Sequence, residues 1–397
     1  MRIAHYMQDI DFTRGGPPRA VIDQVATMHA RGHQAGLLTT NVRDVPASWL
    51  VGTPDQPEVV QLPAVRGSFG RHSSEGIAGV REAVARFDIL HMHGVWEPAN
   101  LQVAAVCRRL NIPYVVSLRG MLDDWSMDQS SLRKRIFLAI GGRRYLEQAA
   151  AVHCTADAEL EQSRKWFPRG TGVVVPNLID LEPYTDAPDP ASALSTWPEI
   201  AESPFTVLFL SRIQVKKGIE HLIDAIALLR ERGHQDVRVI IAGTGDDDYV
   251  AAMRARIKAA GVADQFTWTG HVGGDLKNSL YAACDVFALP TSQENFGFVF
   301  FESLASGTPV VTTDLVDTRH EIERSGGGVI IPQDANRFAE AIVSFVSGER
   351  DGATMGAAGR TWTLHNLDTS KVAAEFEAVY ESRVGDRSSD SGTNRRI

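Results

Sequence analysis

The chain alternates between short apolar runs and longer amphipathic segments, and this alternation limits the possible fold more than any other feature. Short apolar runs that end in Gly, Pro or polar residues are typical of buried parallel strands. One alternating series occupies residues 2–180, and a second series begins at residue 205. Because strands that alternate with helices form parallel sheets covered by helices, the sequence predicts an α/β fold with two doubly wound domains.

The individual elements follow from these patterns. The predicted strands are residues 2–7, 35–40, 59–62, 89–93, 114–118, 152–155, 173–176, 207–210, 237–242, 266–269, 286–289, 310–312 and 328–331. The predicted helices include residues 17–32, 99–110, 131–149, 219–232, 249–260, 276–283, 298–306, 337–346 and 369–382. Residues 41–58 and 63–73 are rich in Pro and Gly and are predicted to be loops.

The domain boundaries are predicted from composition. Pro, Asp, Ser and Ala are dense over residues 181–204, which is typical of a linker between an N-terminal domain over 1–180 and a C-terminal domain over 205–366. A helix over 367–384 would follow the second domain and pack back on the first. Residues 385–397 hold too few apolar side chains to order and are predicted to be a disordered tail. A cleft between two such domains is the usual place for a ligand.

Composition and charge narrow the class of function. The 397 residues, 44% hydrophobic and 22% charged, suit two globular domains of about 180 residues each. A net charge of −9 argues against a nucleic-acid partner. The cysteines Cys107, Cys154 and Cys284 are odd in number and lack metal-ligand spacing, which favours the reducing cytoplasm. Because a predicted strand starts at residue 2, no signal peptide is expected. Because the sequence has no long apolar run, no membrane span is expected.

Two carboxylates lie where a buried strand gives way to a helix. The strand 286–289 is followed by a loop that holds Glu294 and by a mostly apolar helix that holds Glu302. In open α/β sheets, ligands bind at the edge formed by the carboxyl ends of the strands. A buried carboxylate also needs a partner or a ligand. Free N–H groups at a helix start favour an anionic or hydroxyl-rich ligand. The residues alone also allow a capping role for Glu294 and a structural role for Glu302.

Arg212 and Lys217 form a second candidate site, between the strand 207–210 and the helix that follows it. An arginine fork and a lysine point charge beside a helix N-terminus are suited to a diphosphate. A solvated basic turn is the alternative interpretation.

Glycine-containing turns follow three other strands. They contain Gly15 and Gly16, Gly243, and the pair His271 and Val272. Glycines allow backbone amides to approach a phosphate or sugar closely. Each turn is equally compatible with a plain connection, and His271 with a packing residue.

In the first domain, two polar residues end neighbouring predicted strands. His93 ends the strand 89–93, and Arg119 follows the strand 114–118. A lone histidine is usually structural, but this position places His93 at the edge of the predicted cleft.

The motif Leu-Pro-Thr-Ser-x-Glu-Asn-Phe-Gly, with Glu294 and Glu302 spaced Glu-x7-Glu, resembles the signature of family 4 glycosyltransferases. These are retaining enzymes of GT-B architecture, with two Rossmann-like domains that face each other across a cleft. Arg212, Lys217 and Gly218 are similar to the family's Arg-x4-Lys-Gly element. The resemblance covers residues 2–382, and it extends to the glycine loop at Gly15 and Gly16 and the Gly-x-Gly turn at Gly243.

The resemblance implies a retaining transfer of a sugar from a nucleoside-diphosphate sugar to a glycan or lipid-linked acceptor in polysaccharide or glycoconjugate synthesis. Arg212 and Lys217 would hold the diphosphate, which metals do in other transferases, so neither a metal nor a cofactor is expected. Glu302 would bind the ribose, and Glu294 the donor sugar. The implied donor contacts are Gly15, Gly16, Arg212, Lys217, Gly243, His271, Val272, Glu294, Asn295, Phe296, Gly297, Phe298 and Glu302; the catalytic candidates are Glu294, Arg212, Lys217, Arg119 and His93.

One position departs from the family pattern. Many members carry a histidine where this chain has Arg119, and the departure resembles a subgroup that makes exopolysaccharides and capsules. Whether Arg119 contacts the donor or the acceptor stays open.

The segment 132–144 is a basic amphipathic helix that runs from Arg133 to Arg144. It is interpreted either as a solvated face or as a peripheral contact with the inner face of the plasma membrane, where polyprenyl-linked acceptors lie.

Two other functions fit the sequence. One is a sugar-nucleotide epimerase of the same fold, and the other is a non-catalytic module that binds nucleotide sugars. The donor base, the sugar, the acceptor and the oligomeric state do not follow from the sequence.

Overall fold

The structure is a computed structural model that describes residues 1–66 and 70–393, with the backbone alone for residues 14 and 386–393. The chain divides into two compact units. The N-terminal unit contains Met1–Leu178 and the segment from Ser370 onward, and the C-terminal unit contains Ile179–Thr369.

The N-terminal unit is built on a seven-stranded sheet whose strands all run parallel, in the order β3-β2-β1-β4-β5-β6-β7. This is a doubly wound order, in which the direction of winding reverses between β1 and β4. The strands are β1 (Arg2–Tyr6), β2 (Gln34–Thr39), β3 (Glu58–Gln61), β4 (Ile89–His93), β5 (Tyr114–Ser117), β6 (Ala151–Cys154) and β7 (Gly172–Val174).

The C-terminal unit repeats the plan with six parallel strands in the order β10-β9-β8-β11-β12-β13. These strands are β8 (Phe205–Leu210), β9 (Val237–Ala242), β10 (Phe266–Gly270), β11 (Val286–Leu289), β12 (Val310–Thr313) and β13 (Gly328–Ile331). The four apolar side chains of β11 are fully buried, and Pro290 ends the strand because it has no N–H for the ladder.

Helices and short turns connect the strands. The helices are α1 (Gly16–Ala30), α2 (Ser74–Val84), α3 (Pro98–Leu110), α4 (Asp124–Asp128), α5 (Ser131–Phe137), α6 (Arg143–Glu147), α7 (Asp157–Ser163), α8 (Ala191–Thr196), α9 (Glu199–Glu202), α10 (Ile219–Glu231), α11 (Asp247–Ala259), α12 (Gly274–Ala283), α13 (Phe298–Ala305), α14 (Arg319–Arg324), α15 (Ala335–Val346), α16 (Gly352–Asn366) and α17 (Thr369–Thr393). A π-helical turn, Leu138–Gly142, joins α5 to α6.

The predicted α/β class with two Rossmann-like domains is confirmed, and every predicted strand is present with ends that shift by at most two residues. The helix predicted over 131–149 is instead α5, the π turn and α6. Helix α16 was not predicted, because its Gly and Thr residues give only a weak apolar pattern.

The predicted linker over residues 181–204 differs from the structure. The C-terminal unit begins at Ile179, and α8 and α9 lie within the predicted linker. Tyr184, Ala193 and Ile200 are buried in the core of that unit. Apolar residues scattered among Pro and Asp therefore attach this segment to the unit, although its average composition is that of a loop.

The C-terminal segment belongs to the N-terminal unit. Val372, Phe376 and Tyr380 of α17 are buried in the core of that unit, and Glu377 receives hydrogen bonds of 2.7 Å from Nε and Nη2 of Arg31. The tail was predicted to be disordered from residue 385, whereas α17 continues to Thr393 through a segment without proline. Residues 394–397 lie outside the described residues.

Candidate active site

Three loops meet at the carboxyl edge of the C-terminal sheet. The backbone N–H of Ile213 donates to Thr244 O at 2.8 Å, which joins the loop after β8 to the loop after β9. The N–H of Ser292 donates to Lys216 O at 2.8 Å, which joins the loop after β8 to the loop after β11. The predicted motifs around Arg212, Gly243 and Glu294 are therefore assembled in one place.

Glycine makes this close packing possible at two positions. Gly218 has a φ of +66°, and a Cβ there would collide with the carbonyl oxygen of Pro290. Gly243 has a φ of +147°, and a Cβ there would collide with the carbonyl oxygen of Ser211. Both positions combine a backbone conformation that side chains rarely adopt with a neighbour that leaves no room for one.

Lys217 and Glu294 form a largely buried ion pair within these loops. The ammonium of Lys217 hydrogen-bonds Oε2 of Glu294, and only 9% of the lysine side chain is exposed. Such a pair satisfies both charges where water is scarce, and removal of either partner leaves the other uncompensated. Glu294 is therefore not the plain helix cap that the sequence also allowed.

Arg212 lies on the same loop, and its side chain is exposed. Among the residues that the structure describes, it has neither a hydrogen bond nor an ion pair. Its five N–H donors are thus available to an anionic ligand.

Glu302 has its own cation. Its Oε1 lies 2.7 Å from the ammonium of Lys277, and its Oε2 accepts a hydrogen bond of 3.3 Å from the hydroxyl of Tyr281. Burial and then the charge of Glu302 raise the pKa of Tyr281 well above its usual value, so this hydroxyl stays a donor. Sequence reasoning missed Lys277 and Tyr281, because they reach Glu302 from α12 and no local spacing links the two helices.

The loop that contains Glu294 leads into α13 through Gly297, whose φ is +65°. A Cβ at Gly297 would collide with the ring of Phe300. Asn295 is half-buried and Phe296 is buried, while Phe298 is half-buried at the first position of α13. This loop presents the free N–H groups of a helix start beside Glu294.

The other predicted donor residues lie at the expected strand ends. Gly243 N donates to Gly270 O at 2.7 Å, so the turn after β9 touches the end of β10, where His271 is exposed and Val272 is half-buried. In the N-terminal unit, Gly15 has a φ of +112° and directly precedes α1, which begins at Gly16.

A network of buried polar side chains follows the strands of the N-terminal sheet. Arg119 Nη2 donates to His93 Nδ1 at 3.2 Å, and His93 Nε2 lies 3.1 Å from His5 Nδ1. Arg119 Nη1 donates to Asn177 Oδ1. His93 was expected at the edge of the predicted cleft, and in the structure its ring is buried against Arg119.

A second branch of this network starts from His91. Its Nδ1 is hydrogen-bonded to the hydroxyl of Tyr380 at 2.7 Å, and its Nε2 to Ser117 Oγ at 2.7 Å. Ser117 Oγ lies 2.6 Å from His153 Nδ1, and His153 Nε2 lies 2.7 Å from the carbonyl oxygen of Val175. Histidines in the middle of apolar strands were the signal that could have revealed this network.

Burial sets the charges of these groups. It lowers the pKa of His5 and of His153 to about 3, and that of Arg119 to about 10. The pKa values of His91 and His93 are lowered by burial and by neighbouring imidazoles and Arg119. At neutral pH the imidazoles are therefore uncharged and Arg119 carries the only positive charge of this set.

His5, His91 and His93 each offer a nitrogen, and these atoms lie within 4.8 Å of one another. Hydrogen bonds already occupy both ring nitrogens of His91. The guanidinium of Arg119 also adds positive charge where a cation would bind. The arrangement therefore fits a hydrogen-bonded network of neutral imidazoles better than a metal site. That the reaction needs no metal stays a prediction.

Glu159 holds the turn that carries Arg119. This carboxylate is fully buried and accepts hydrogen bonds of 2.6 Å from the N–H groups of Gly120 and Thr155. Arg119 has a φ of +58°, a conformation that is uncommon for a residue with a side chain. Glu159 thus stabilises an unusual backbone and also places a negative charge near the guanidinium.

Two family models match the chain. The model "Glycosyl transferases group 1" matches residues 196–362, and the model "Glycosyl transferase 4-like domain" matches residues 15–177. A phosphatidyl-myo-inositol mannosyltransferase of Mycolicibacterium smegmatis is 28% identical over 389 residues, which cover 94% of this chain and 91% of that protein. A D-inositol 3-phosphate glycosyltransferase of Jonesia denitrificans is 26% identical over 403 residues, which cover 92% of this chain and 91% of that protein.

Solved structures have the same fold. Anabaena HepE in complex with UDP superposes with a TM-score of 0.76 at 21% identity, over 96% of this chain and 100% of that one. Sucrose-phosphate synthase from Thermosynechococcus elongatus superposes with a TM-score of 0.74 at 19% identity, over 96% and 99% of the two chains. At these identities the likeness concerns the fold alone.

Proposed function

We propose that this chain, a GT-B glycosyltransferase whose two halves each match a glycosyltransferase family model, is a member of family 4 that takes a sugar from a nucleoside-diphosphate sugar and transfers it, with retention, to a lipid-linked or glycan acceptor. The observation that carries the donor assignment is the buried pair of Lys217 and Glu294 beside the exposed Arg212. A cation held in place by a carboxylate, next to a free guanidinium, suits a diphosphate that is joined to a sugar.

Arg212 and Lys217 are the groups that stabilise the leaving diphosphate in this proposal. When the bond between the anomeric carbon and the diphosphate oxygen breaks, its electron pair stays on that oxygen. Fixed positive charge at this position lowers the barrier, because it needs no reorganisation as the negative charge develops. Lys217 is already oriented by Glu294, while Arg212 would be ordered by the ligand.

Retention requires the acceptor oxygen to bond the anomeric carbon on the face that the diphosphate leaves. The acceptor proton would pass to the departing phosphate oxygen, so the donor itself supplies the base. In this scheme Glu294 and the N–H groups of residues 296–298 orient the sugar hydroxyls. Glu302 would bind the ribose, with Lys277 beside it to offset its charge.

The N-terminal unit would supply the remaining groups. Gly15 and Gly16 would let the backbone approach the donor. Glu159 holds the turn that carries Arg119, and the guanidinium of Arg119 donates to His93. This positive charge would act on the donor or the acceptor. The departure at Arg119 is also the basis for proposing polysaccharide synthesis as the setting.

We further propose that the acceptor is reached at an anionic membrane surface. Leu132, Ile136 and Ile140 expose 71%, 49% and 79% of their surface. Ile140 lines a cavity of about 790 Å³ whose lining also includes Arg135, Arg143, Arg144, Arg169 and Trp166. Apolar side chains next to arginines suit the boundary between lipid headgroups and acyl chains. None of the helices in the described part of the chain combines the length and apolar character needed to span a bilayer.

The central experiment compares wild type with Glu294→Gln. UDP-glucose and GDP-mannose serve as donor probes, and transfer and slow hydrolysis are both measured. We expect turnover with one donor and a loss of about 100-fold or more in Glu294→Gln, since a group that orients the reacting sugar is removed. Glu349→Gln, at an exposed glutamate, is the matched control and should keep wild-type turnover.

The alternatives give different results. A non-catalytic module would bind a nucleotide without turnover in any variant, and an epimerase would convert the donor alone into a second nucleotide sugar.

Thermal denaturation with UDP, GDP and ADP identifies the base, because a ligand of the native state raises the Tm with its concentration.

A further inference from the structure

A segment after β12 runs alongside the loop that carries Glu294. We name residues 313–318 the bracket and residues 291–296 the donor loop. Thr313 Oγ1 donates to Thr291 O at 2.6 Å, and Thr318 Oγ1 donates to Phe296 O at 3.0 Å. The two threonine hydroxyls therefore attach the bracket to both ends of the donor loop.

Asp317 attaches the bracket to the middle of the donor loop. Its backbone N–H donates to Glu294 O at 2.9 Å, and its carboxylate Oδ2 accepts a hydrogen bond of 3.0 Å from Asn295 Nδ2. A parallel bridge between Glu294 and Val316 adjoins these contacts. Two consecutive residues of the donor loop are thus held by one residue of the bracket.

Asp317 is buried, with 1% of its surface exposed. A buried carboxylate is costly unless polar groups of fixed position surround it. Because an ionised carboxylate only accepts hydrogen bonds, it also fixes which end of the Asn295 amide faces it. The nitrogen of that amide turns toward Asp317, so the carbonyl oxygen turns away from it.

We propose that Asp317 is a positioning residue for the donor sugar, which acts through Asn295 and the backbone of Glu294 and does not touch the substrate itself. The inference rests on the proposed function of the donor loop and adds a residue outside its motif. Lys217 fixes the Glu294 side chain, and Asp317 fixes the backbone from which that side chain projects. The side chain and the backbone of Glu294 thus have separate supports.

Asp317→Asn tests the proposal with a nearly isosteric change. An asparagine can donate as well as accept, so the Asn295 amide loses its enforced orientation. Asp314→Asn is the matched control, because Asp314 lies in the same bracket, carries the same charge and is exposed. The donor is whichever of UDP-glucose and GDP-mannose the wild type turns over.

We expect Asp317→Asn to lower kcat/KM for the donor at least tenfold, while Asp314→Asn keeps the wild-type value. The Tm increase caused by the nucleoside diphosphate alone should be unchanged in Asp317→Asn, and the additional increase caused by the nucleotide sugar should shrink. A merely structural role would lower the Tm of the free protein and leave both increases intact. That result, or wild-type kinetics in Asp317→Asn, overturns the proposal.

A double-mutant cycle with Asn295→Ala provides a second criterion. If Asp317 acts through Asn295, the double variant should be no slower than Asn295→Ala alone, whereas independent effects would multiply. Multiplied effects contradict the proposal. If Asp317→Asn does not fold, Asp317→Glu keeps the carboxylate, and its donor kinetics must still fall below those of Asp314→Asn. A wild type without turnover contradicts the proposed function instead, so the two failures are distinguishable.

Discussion

At the scale of single residues, each glutamate of the candidate site faces a lysine. Glu294 pairs with Lys217 and Glu302 with Lys277, so neither carboxylate is buried without a cation. These pairs explain how two acids are tolerated beside an otherwise apolar helix. They also mean that a diphosphate at Lys217 must share its ammonium with Glu294, which links phosphate binding to the group proposed to hold the sugar.

Substitutions of Lys217 and Arg212 should both impair turnover but should differ in their effect on the stability of the fold. Lys217→Met should lower kcat/KM about 100-fold or more, because it removes the positive charge that would stabilise the leaving diphosphate in the proposed reaction. It should also lower the free energy of unfolding by about 1–3 kcal/mol, since Glu294 loses its buried partner. Arg212→Gln should impair turnover with an unchanged Tm, because Arg212 is exposed. Donor kinetics and thermal denaturation check both; wild-type turnover in the two variants would refute the diphosphate assignment.

At the scale of elements, the loops after the strands depend on Gly218. Gly218→Ala should lower both the Tm and the turnover, since the new Cβ would displace Pro290 and with it the donor loop. Gly261→Ala is the matched control. Gly261 has a similar φ of +70° but nothing within 4 Å of a Cβ, so it should cost only about 1–2 kcal/mol of backbone strain. Equal Tm losses and equal activities in the two variants would argue against the close approach.

Helix α17 gives the N-terminal unit a pH-dependent contact. The Arg31 guanidinium, and to a lesser extent His33, hold the pKa of Glu377 at about 2, below its usual 4.5. A carboxyl with a depressed pKa stabilises the native state fully above its unfolded pKa, and this contribution is lost as the pH falls from 4.5 toward 2. The Tm difference between wild type and Glu377→Gln should therefore be largest near neutral pH and vanish near pH 2. A difference that grows as the pH falls would contradict this account.

Local patterns were enough to predict the strands but not the contacts between elements. Val286–Leu289 is apolar and ends at a proline, so its strand could be located from the sequence alone. The Lys277–Glu302 and Asp317–Asn295 contacts join residues from different elements, and no spacing rule encodes them. The same applies to His93, whose strand was predicted but whose buried contacts with Arg119 and His5 depend on side chains from neighbouring strands.

At the scale of the whole molecule, the net charge is −9, whereas the surface around α5 and α6 is rich in arginine. A negative protein should bind an anionic bilayer only through such a local patch, and binding should weaken with salt. We expect binding to vesicles of phosphatidylglycerol and phosphatidylcholine but not of phosphatidylcholine alone, and a marked loss of binding in Ile140→Glu. Leu315→Glu, at an exposed leucine of the other unit, is the control, and cosedimentation is the measurement. Equal binding by Ile140→Glu would exclude this surface.

The position of α17 has a consequence for synthesis of the protein. Val372, Ala373, Phe376 and Tyr380 of α17 complete a core whose other buried residues lie within the first 178 positions, and Tyr380 is a hydrogen-bond partner of His91. During translation, the hydrophobic core of the N-terminal unit therefore stays incomplete until the whole C-terminal unit has been synthesised. A chain that terminates before residue 370 would leave the apolar surface that α17 covers exposed. Such a truncated product should be bound by chaperones and degraded by proteases.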